Sequence, residues 1–190
     1  MSGTMSRTLV LGGARSGKSA LAERLARDSG KEVVYLATSR AGDGEMAERI
    51  AHHRARRPCD WRTVEEPTAL ADTLRGLCAP GRIVLVDCLT LWLTNLMFST
   101  HLDYPEVGPI DLAPLFHEER RALLDWLDAP CDGDVVFVSN EVGMGVVPYG
   151  AISRAFVDEA GRLHQDVAAR CERVLFVAAG LPLALKGAPC

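Results

Sequence analysis

Residues 9–19 decide the fold, and they read Leu9-Val10-Leu11-Gly12-Gly13-Ala14-Arg15-Ser16-Gly17-Lys18-Ser19. An apolar run leads into a loop of the form G-x-x-x-x-G-K-S, and residues 20–26, which favour helix, follow at once. This order predicts a phosphate-binding loop, because the N–H groups of such a loop and the helix N-terminus converge on phosphate oxygens. Lys18 is then placed to reach the β- and γ-phosphates, and the Ser19 hydroxyl to coordinate Mg²⁺.

Further apolar runs alternate with helical segments along the rest of the chain. The predicted strands are 33–37, 61–64, 82–87, 134–140 and 173–178, and the predicted helices are 45–56, 65–77, 88–98, 115–127 and 151–171. Alternation of this kind predicts a single α/β domain over residues 1–190, with a mostly parallel, doubly wound sheet and right-handed crossovers. Residues 1–6 are expected to be a disordered leader, and residues 179–182 lead from the last strand into a short tail.

Composition excludes several classes of protein. The chain has 190 residues, 48% of them hydrophobic and 24% charged, which are ordinary globular values. A net charge of −4 offers no basic field for nucleic acid. The six cysteines show no metal-ligand spacing, and neither a secretory signal nor an apolar run of about 20 residues is found. We therefore expect a cytoplasmic protein with reduced thiols, no membrane span and no nucleic-acid partner.

Polar side chains follow the predicted strands at their carboxyl ends, where α/β proteins bind ligands. Thr38 and Ser39 follow one strand, and they either touch the nucleotide or cap the next helix. Asp87 ends another strand, and it either holds Mg²⁺ or caps the helix after it. The nucleotide is therefore expected at this edge of the sheet.

Two histidines lie beside an arginine cluster on the predicted helix 45–56. Ile50 and His53 share a helical face, whereas His52 points about 100° away, so His53 is expected to be the more shielded. A neutral imidazole flanked by Arg54, Arg56 and Arg57 could attack the α-phosphate of a nucleotide. From spacing alone, surface and boundary packing is the favoured explanation of the pair. His101, His117 and His164 lack such a setting and are interpreted as structural or solvated.

Two segments have an irregular composition. Residues 99–114 carry three prolines and several acids, which is typical of a surface loop, either a lid or a passive insertion. Residues 141–148 are punctuated by Gly143 and Gly145, and this pattern fits either a binding loop or a hairpin.

Three segments together resemble one enzyme family. They are residues 12–19, residues 35–39 with the later Glu45-Met46-Ala47-x-Arg49-Ile50-x-His52-His53, and Ser139-Asn140-Glu141-Val142-Gly143-Met144-Gly145-Val146-Val147-Pro148. The chain is similar over residues 7–186 to the bifunctional adenosylcobinamide kinase/adenosylcobinamide-phosphate guanylyltransferases of cobalamin assembly. The resemblance implies a RecA-like phosphate-loop fold and a homo-oligomer, typically a trimer.

The resemblance also implies two reactions. In the first, ATP or GTP phosphorylates the aminopropanol hydroxyl of adenosylcobinamide. In the second, a histidine takes GMP from GTP, releasing pyrophosphate, and passes it to adenosylcobinamide phosphate to give adenosyl-GDP-cobinamide. His53 matches the family's nucleophile.

The family's nucleotide-binding positions are carried over by residue. They fall on Gly12, Gly13, Ala14, Arg15, Ser16, Gly17, Lys18 and Ser19, on Ala37, Thr38 and Ser39, on Arg54, Ala55, Arg56 and Arg57, and on Glu65 and Asp87. Lys18 is expected to act in catalysis with His53, and Ser19 and Asp87 to hold Mg²⁺. Some members carry Glu where this chain has Asp87, a change that keeps the carboxylate.

Two other functions remain open at this point. One is a phosphate-loop kinase with a single activity, in which the histidine pair has no chemical role. The other is a non-catalytic module that binds nucleotide to switch a partner surface.

Overall fold

The computed structural model describes residues 6–39, 60–100 and 104–188. The strands in this part of the chain are β1 Arg7–Gly12, β2 Glu32–Ala37, β3 Arg62–Glu65, β4 Arg82–Asp87, β5 Asp134–Asn140, β6 Arg173–Ala178 and β7 Leu181–Lys186. The helices are α1 Lys18–Asp28, α2 Leu70–Leu77, α3 Leu89–Met97, α4 Pro114–Asp128 and α5 Ala151–Arg170.

The strands form one sheet in the order β3-β2-β4-β5-β1-β6-β7. All neighbouring pairs are parallel except β6 and β7, which are antiparallel. The predicted mostly parallel sheet is confirmed. Because β5 lies between β4 and β1, the strand that ends in Asp87 and the strand that enters the phosphate loop are separated by only one strand.

The two faces of the sheet bury different sets of side chains. Leu9 and Leu11 face α2–α5, whereas Val10 faces α1, as the two-residue period of a strand requires. Helix α5 buries Ala160, Leu163 and Val167 on the larger core. Helices on both faces leave the carboxyl edge of the sheet as the free edge for a ligand.

The predicted tail is in part a strand. Leu181–Lys186 pairs with β6, so the chain forms a hairpin where the sequence predicted a short tail. Pro182 argues against a strand in sequence analysis, but it is tolerated here because β7 is an edge strand.

Two predicted boundaries also need correction. The helix expected from Glu65 begins at Leu70, since Glu65 belongs to β3 and the Glu66 carboxylate accepts hydrogen bonds from the N–H groups of Thr68 and Ala69 at 2.8 Å each. Ser6 is not part of a disordered leader: its N–H donates to Asp134 at 3.0 Å.

Candidate functional site

The phosphate loop connects β1 to α1, and two of its glycines are required by geometry. A Cβ on Gly12 would lie 2.5 Å from both the Ser16 Oγ and the Val177 carbonyl oxygen, so no side chain fits there. Gly17 has φ of 97°, a conformation that favours glycine, and it precedes the first residue of α1. No side chain among the described residues caps this helix start, so its N–H groups face the loop.

Lys18 lies in the first turn of α1 and is largely buried. Its Nζ donates to the Gly13 carbonyl oxygen at 3.1 Å, which folds the side chain back over the loop. Burial lowers the pKa of the Lys18 ammonium, and Cys88 and Asp87 oppose this shift. Burial also raises the pKa of the Cys88 thiol to about 11.

The turn between β6 and β7 supports the loop from behind. The Gly180 N–H donates to the Ser16 carbonyl oxygen at 2.8 Å, and a Cβ on Gly17 would lie 3.1 Å from the Gly180 Cα. The sequence did not predict this contact, because residues 179–182 were expected only to lead into a tail. The β6–β7 hairpin therefore helps to fix the conformation of the phosphate loop.

Asp87 and Ser19 supply the oxygen atoms that a magnesium site would need. The Asp87 Oδ2 accepts a hydrogen bond from the Tyr35 hydroxyl at 2.9 Å, and no side chain among the described residues caps the helix that follows. Mg²⁺ prefers oxygen ligands and is held by one or two protein groups together with phosphates. One carboxylate and one hydroxyl beside a phosphate loop fit that preference, although no group of three or more metal-ligating His, Cys, Asp or Glu side chains occurs in the described residues.

Three residues predicted to contact the nucleotide lie in one row across the sheet. Ala37 pairs in register with Glu65 on β3 and with Asp87 on β4, so the structure brings all three to the carboxyl edge. Ser39 follows two residues later at the same edge.

Thr38 has a role that neither interpretation of its sequence predicted. Its Oγ1 donates to the Cys88 carbonyl oxygen at 2.7 Å and accepts from the Cys88 N–H at 2.9 Å. The residue is fully buried. The hydroxyl thus ties the end of β2 to the end of β4, and a nucleotide contact at Thr38 stays a prediction.

The predicted nucleophile lies outside the described residues. His53 and the basic segment Arg54, Ala55, Arg56 and Arg57 fall between Ser39 and Asp60, which bound this part of the description. Their predicted roles stay predictions.

His164 forms a buried cluster with the segment that leaves β5. Its Nε2 lies 2.7 Å from the Ser139 Oγ, and its Nδ1 lies 3.7 Å from the Glu141 Oε2. The Glu141 carboxylate accepts from the Gly143 N–H at 2.6 Å, and the Glu141 N–H donates to the Gly12 carbonyl oxygen at 3.0 Å. His164 therefore has a structural role, as predicted. It is also connected through Glu141 to the phosphate loop. The sequence did not indicate this connection, because His164 and Ser139 are 25 residues apart.

The buried His164 is expected to make stability depend on pH. Burial lowers the pKa of His164, and Glu141 opposes that shift only in part. As the pH falls through 6.5, the unfolded chain takes up a proton that the folded chain does not, so the free energy of unfolding decreases. Each unit of pKa difference corresponds to about 1.4 kcal/mol. Urea unfolding of wild type and His164→Gln between about pH 5.5 and 8.5 is expected to show a steeper acid-side loss for wild type.

The same series contains its own control. Above about pH 7.5 the imidazole is neutral in both states, so the two stability curves are expected to run parallel there. Equal slopes below pH 6.5 would contradict the assignment of a buried, neutral His164.

None of the helices within residues 6–39, 60–100 and 104–188 combines the length and apolar character needed to cross a membrane.

Comparison with known proteins agrees with this geometry. Residues 8–185 match the family model described as cobinamide kinase / cobinamide phosphate guanyltransferase. The chain is 59% identical over 183 residues to the bifunctional adenosylcobalamin biosynthesis protein CobP of Pseudomonas aeruginosa, covering 96% of this chain and 99% of that protein. It is 42% identical over 180 residues to the corresponding protein CobU of Escherichia coli, covering 94% and 98%.

The solved structures are similar in fold. The ATPase EscN of the enteropathogenic E. coli type III secretion system gives a TM-score of 0.54 at 11% identity, covering 92% of this chain and 43% of that one. At this identity the likeness concerns the fold alone. It agrees with the strand order, and the predicted single-domain, RecA-like phosphate-loop fold is confirmed.

Proposed function

The chain belongs to the cobinamide kinase/cobinamide phosphate guanyltransferase family, and from this premise we propose that both reactions use the one phosphate loop at residues 12–19. The protein is a bifunctional kinase and guanylyltransferase of adenosylcobalamin biosynthesis. The observation that carries the proposal is the buried Lys18 within the uncapped start of α1, next to Asp87. One anion site of this kind holds the phosphates of either nucleotide.

In the kinase reaction, ATP or GTP donates its γ-phosphoryl group to the aminopropanol hydroxyl of adenosylcobinamide. The alcohol oxygen bonds to the γ-phosphorus, the bond to the β–γ bridging oxygen breaks, and the nucleoside diphosphate leaves as the hydroxyl proton passes to solvent. Phosphoryl transfer depends on positioning and charge neutralisation. Lys18 and the N–H groups at the start of α1 supply both.

In the transferase reaction, His53 acts as the nucleophile. An unprotonated imidazole nitrogen bonds to the α-phosphorus of GTP, the bond to the α–β bridging oxygen breaks, and pyrophosphate leaves. The imidazole proton passes to solvent. The phosphate of adenosylcobinamide phosphate then attacks the same phosphorus and displaces the histidine, giving adenosyl-GDP-cobinamide. Arg54, Arg56 and Arg57 are proposed to balance the charge on the phosphate oxygens.

The remaining assignments of the site follow the same proposal. Ser19 and Asp87 would hold Mg²⁺, which when bound neutralises phosphate charge. The nucleotide contacts are proposed at residues 12–19, 37–39, 54–57, 65 and 87. We further propose a cytoplasmic homotrimer.

Covalent labelling tests this proposal directly. Incubation of the protein with [α-³²P]GTP is expected to yield a covalent adduct that is acid-labile and base-stable, as a phosphoramidate is. Incubation with [γ-³²P]GTP is the control and is expected to leave no covalent label, because the γ-phosphate departs with pyrophosphate. Turnover is followed in parallel with cobinamide as acceptor.

The outcome separates the competing functions. A protein that phosphorylates cobinamide but never acquires the α-label is a kinase with a single activity. Tight nucleotide binding without any cobinamide-dependent consumption of nucleotide indicates a binding module, and either result overturns the proposal.

A further inference from the structure

A groove of about 360 Å³ lies between α3 and α5, beside the carboxyl edge of the sheet. Its apolar wall consists of Phe98, Val142, Pro148, Ile152, Phe156 and Val157. Thr94 and Ser153 add hydroxyl groups at the same surface. The phosphates and sugar of a nucleotide are polar, so nucleotide binding does not account for this apolar wall.

The groove is continuous with the phosphate loop. Val142, in its wall, follows Glu141, whose N–H donates to the Gly12 carbonyl oxygen at 3.0 Å. A Cβ on Gly143 would lie 3.1 Å from the Glu141 Oε1 and 3.8 Å from the Val157 Cγ1, so the carboxylate and the groove wall flank the same glycine. A molecule in the groove therefore lies next to the nucleotide-binding edge.

The segment that borders the groove also exposes large apolar side chains. Met144 is 77% exposed, Val146 97% and Val147 73% in the described part of the chain. Clustered exposed apolar residues of this kind mark a binding surface more often than they occur without function. The apolar surface thus extends from the groove along residues 142–149.

We propose that this surface binds the corrinoid acceptor of both reactions, with one edge of the macrocycle in the groove between α3 and α5. The proposal rests on the proposed function, which supplies the acceptor. A corrin ring carries methyl and methylene groups, which suit the apolar wall, and amide arms, which the hydroxyls of Thr94 and Ser153 can bind. The arm that bears the hydroxyl or phosphate group then points past Glu141 towards the phosphate loop. Because the acceptor is larger than the groove, the exposed residues 142–149 cover the rest of that edge.

Steady-state kinetics with a double variant test the assignment. Phe98 and Val142 are 48% and 36% exposed, so Phe98→Ser with Val142→Ser removes apolar groove surface without emptying the core. The KM for cobinamide in the kinase reaction is expected to rise roughly tenfold, because two apolar side chains no longer cover the corrinoid. The KM for the nucleotide and the extent of α-label from GTP are expected to stay within about twofold of wild type. The matched control is Leu183→Ser with Leu185→Ser, which removes two exposed leucines of β7 and is expected to leave the KM for cobinamide unchanged.

Each outcome decides one question. Wild-type protein without cobinamide-dependent turnover overturns the proposed function itself. An active wild type with an unchanged KM for cobinamide in the groove variant overturns the groove assignment alone. If the groove variant changes the sedimentation coefficient while the KM for cobinamide stays constant, the groove is an interface between copies of the chain, and the assignment is equally overturned.

Discussion

Lys18→Met is expected to abolish both the phosphorylation of cobinamide and the covalent labelling by [α-³²P]GTP. The Lys18 Nζ folds over the loop to the Gly13 carbonyl oxygen at 3.1 Å, and Asp87 is among the groups that oppose the lowering of its pKa by burial. Removing one charged donor from a preorganised anion site costs roughly 10²–10³ in rate. Methionine retains the length of the buried stem, so the fold is expected to survive.

Three measurements check this result. Transfer of ³²P from [γ-³²P]ATP to cobinamide reports the kinase, release of pyrophosphate from GTP reports the transferase, and thermal unfolding reports the fold. The control is Lys31→Met. Lys31 pairs with Asp134 at the opposite edge of the sheet, so this substitution is expected to leave the rates of both reactions unchanged. Loss of the kinase alone would show that the two reactions do not share the phosphate loop.

The central part of this site was predictable because its determinants are local in sequence. The glycine-rich loop, the strand before it and the helix after it occupy adjacent residues, and the predicted bounds of β4, β5 and β6 agree with the structure. The meeting of Ala37 and Asp87 at one edge also follows from local signals, because parallel strands end at the same edge. Glu65 was predicted to begin a helix, and it joins this row because β3 extends through it.

The missed features depend on contacts between residues distant in sequence. The Thr38 hydroxyl is bonded to Cys88, 50 residues away, and His164 to Ser139, 25 residues away. No periodicity or motif around either residue contains that partner. The support of Ser16 by Gly180 was missed for a different reason, because Pro182 weakens the strand signal of β7.

The groove shows that a sequence run can be specific for a family and still leave the conformation of its residues undetermined. The run 139–148 is one of the three segments that carry the resemblance to the family, yet the composition of residues 141–148 fitted both a binding loop and a hairpin. The structure places Val142 and Pro148 against α3 and α5, and leaves Met144 and Val146 exposed. The specific run thus joins the phosphate loop, through Glu141, to an apolar surface suited to a second substrate.

His53→Ala is expected to eliminate labelling by [α-³²P]GTP and the guanylylation of cobinamide phosphate, while the kinase rate stays within about threefold of wild type. The imidazole is the proposed nucleophile for the α-phosphorus, and alanine offers no atom that can replace it. The γ-phosphoryl transfer needs no protein nucleophile, because the acceptor alcohol attacks directly. Labelling, pyrophosphate release and cobinamide phosphorylation are measured on the same preparation.

His52→Ala is the matched control, because it removes an imidazole from the adjacent position and is expected to retain the label. Label lost in His52→Ala but kept in His53→Ala would reassign the nucleophile. Together with Lys18→Met, the pair resolves how the site is shared. A shared phosphate loop requires that Lys18→Met stop both reactions, and the assignment of His53 requires that His53→Ala stop only the transferase. If Lys18→Met stops one reaction and leaves the other unchanged, the two nucleotides bind at separate sites.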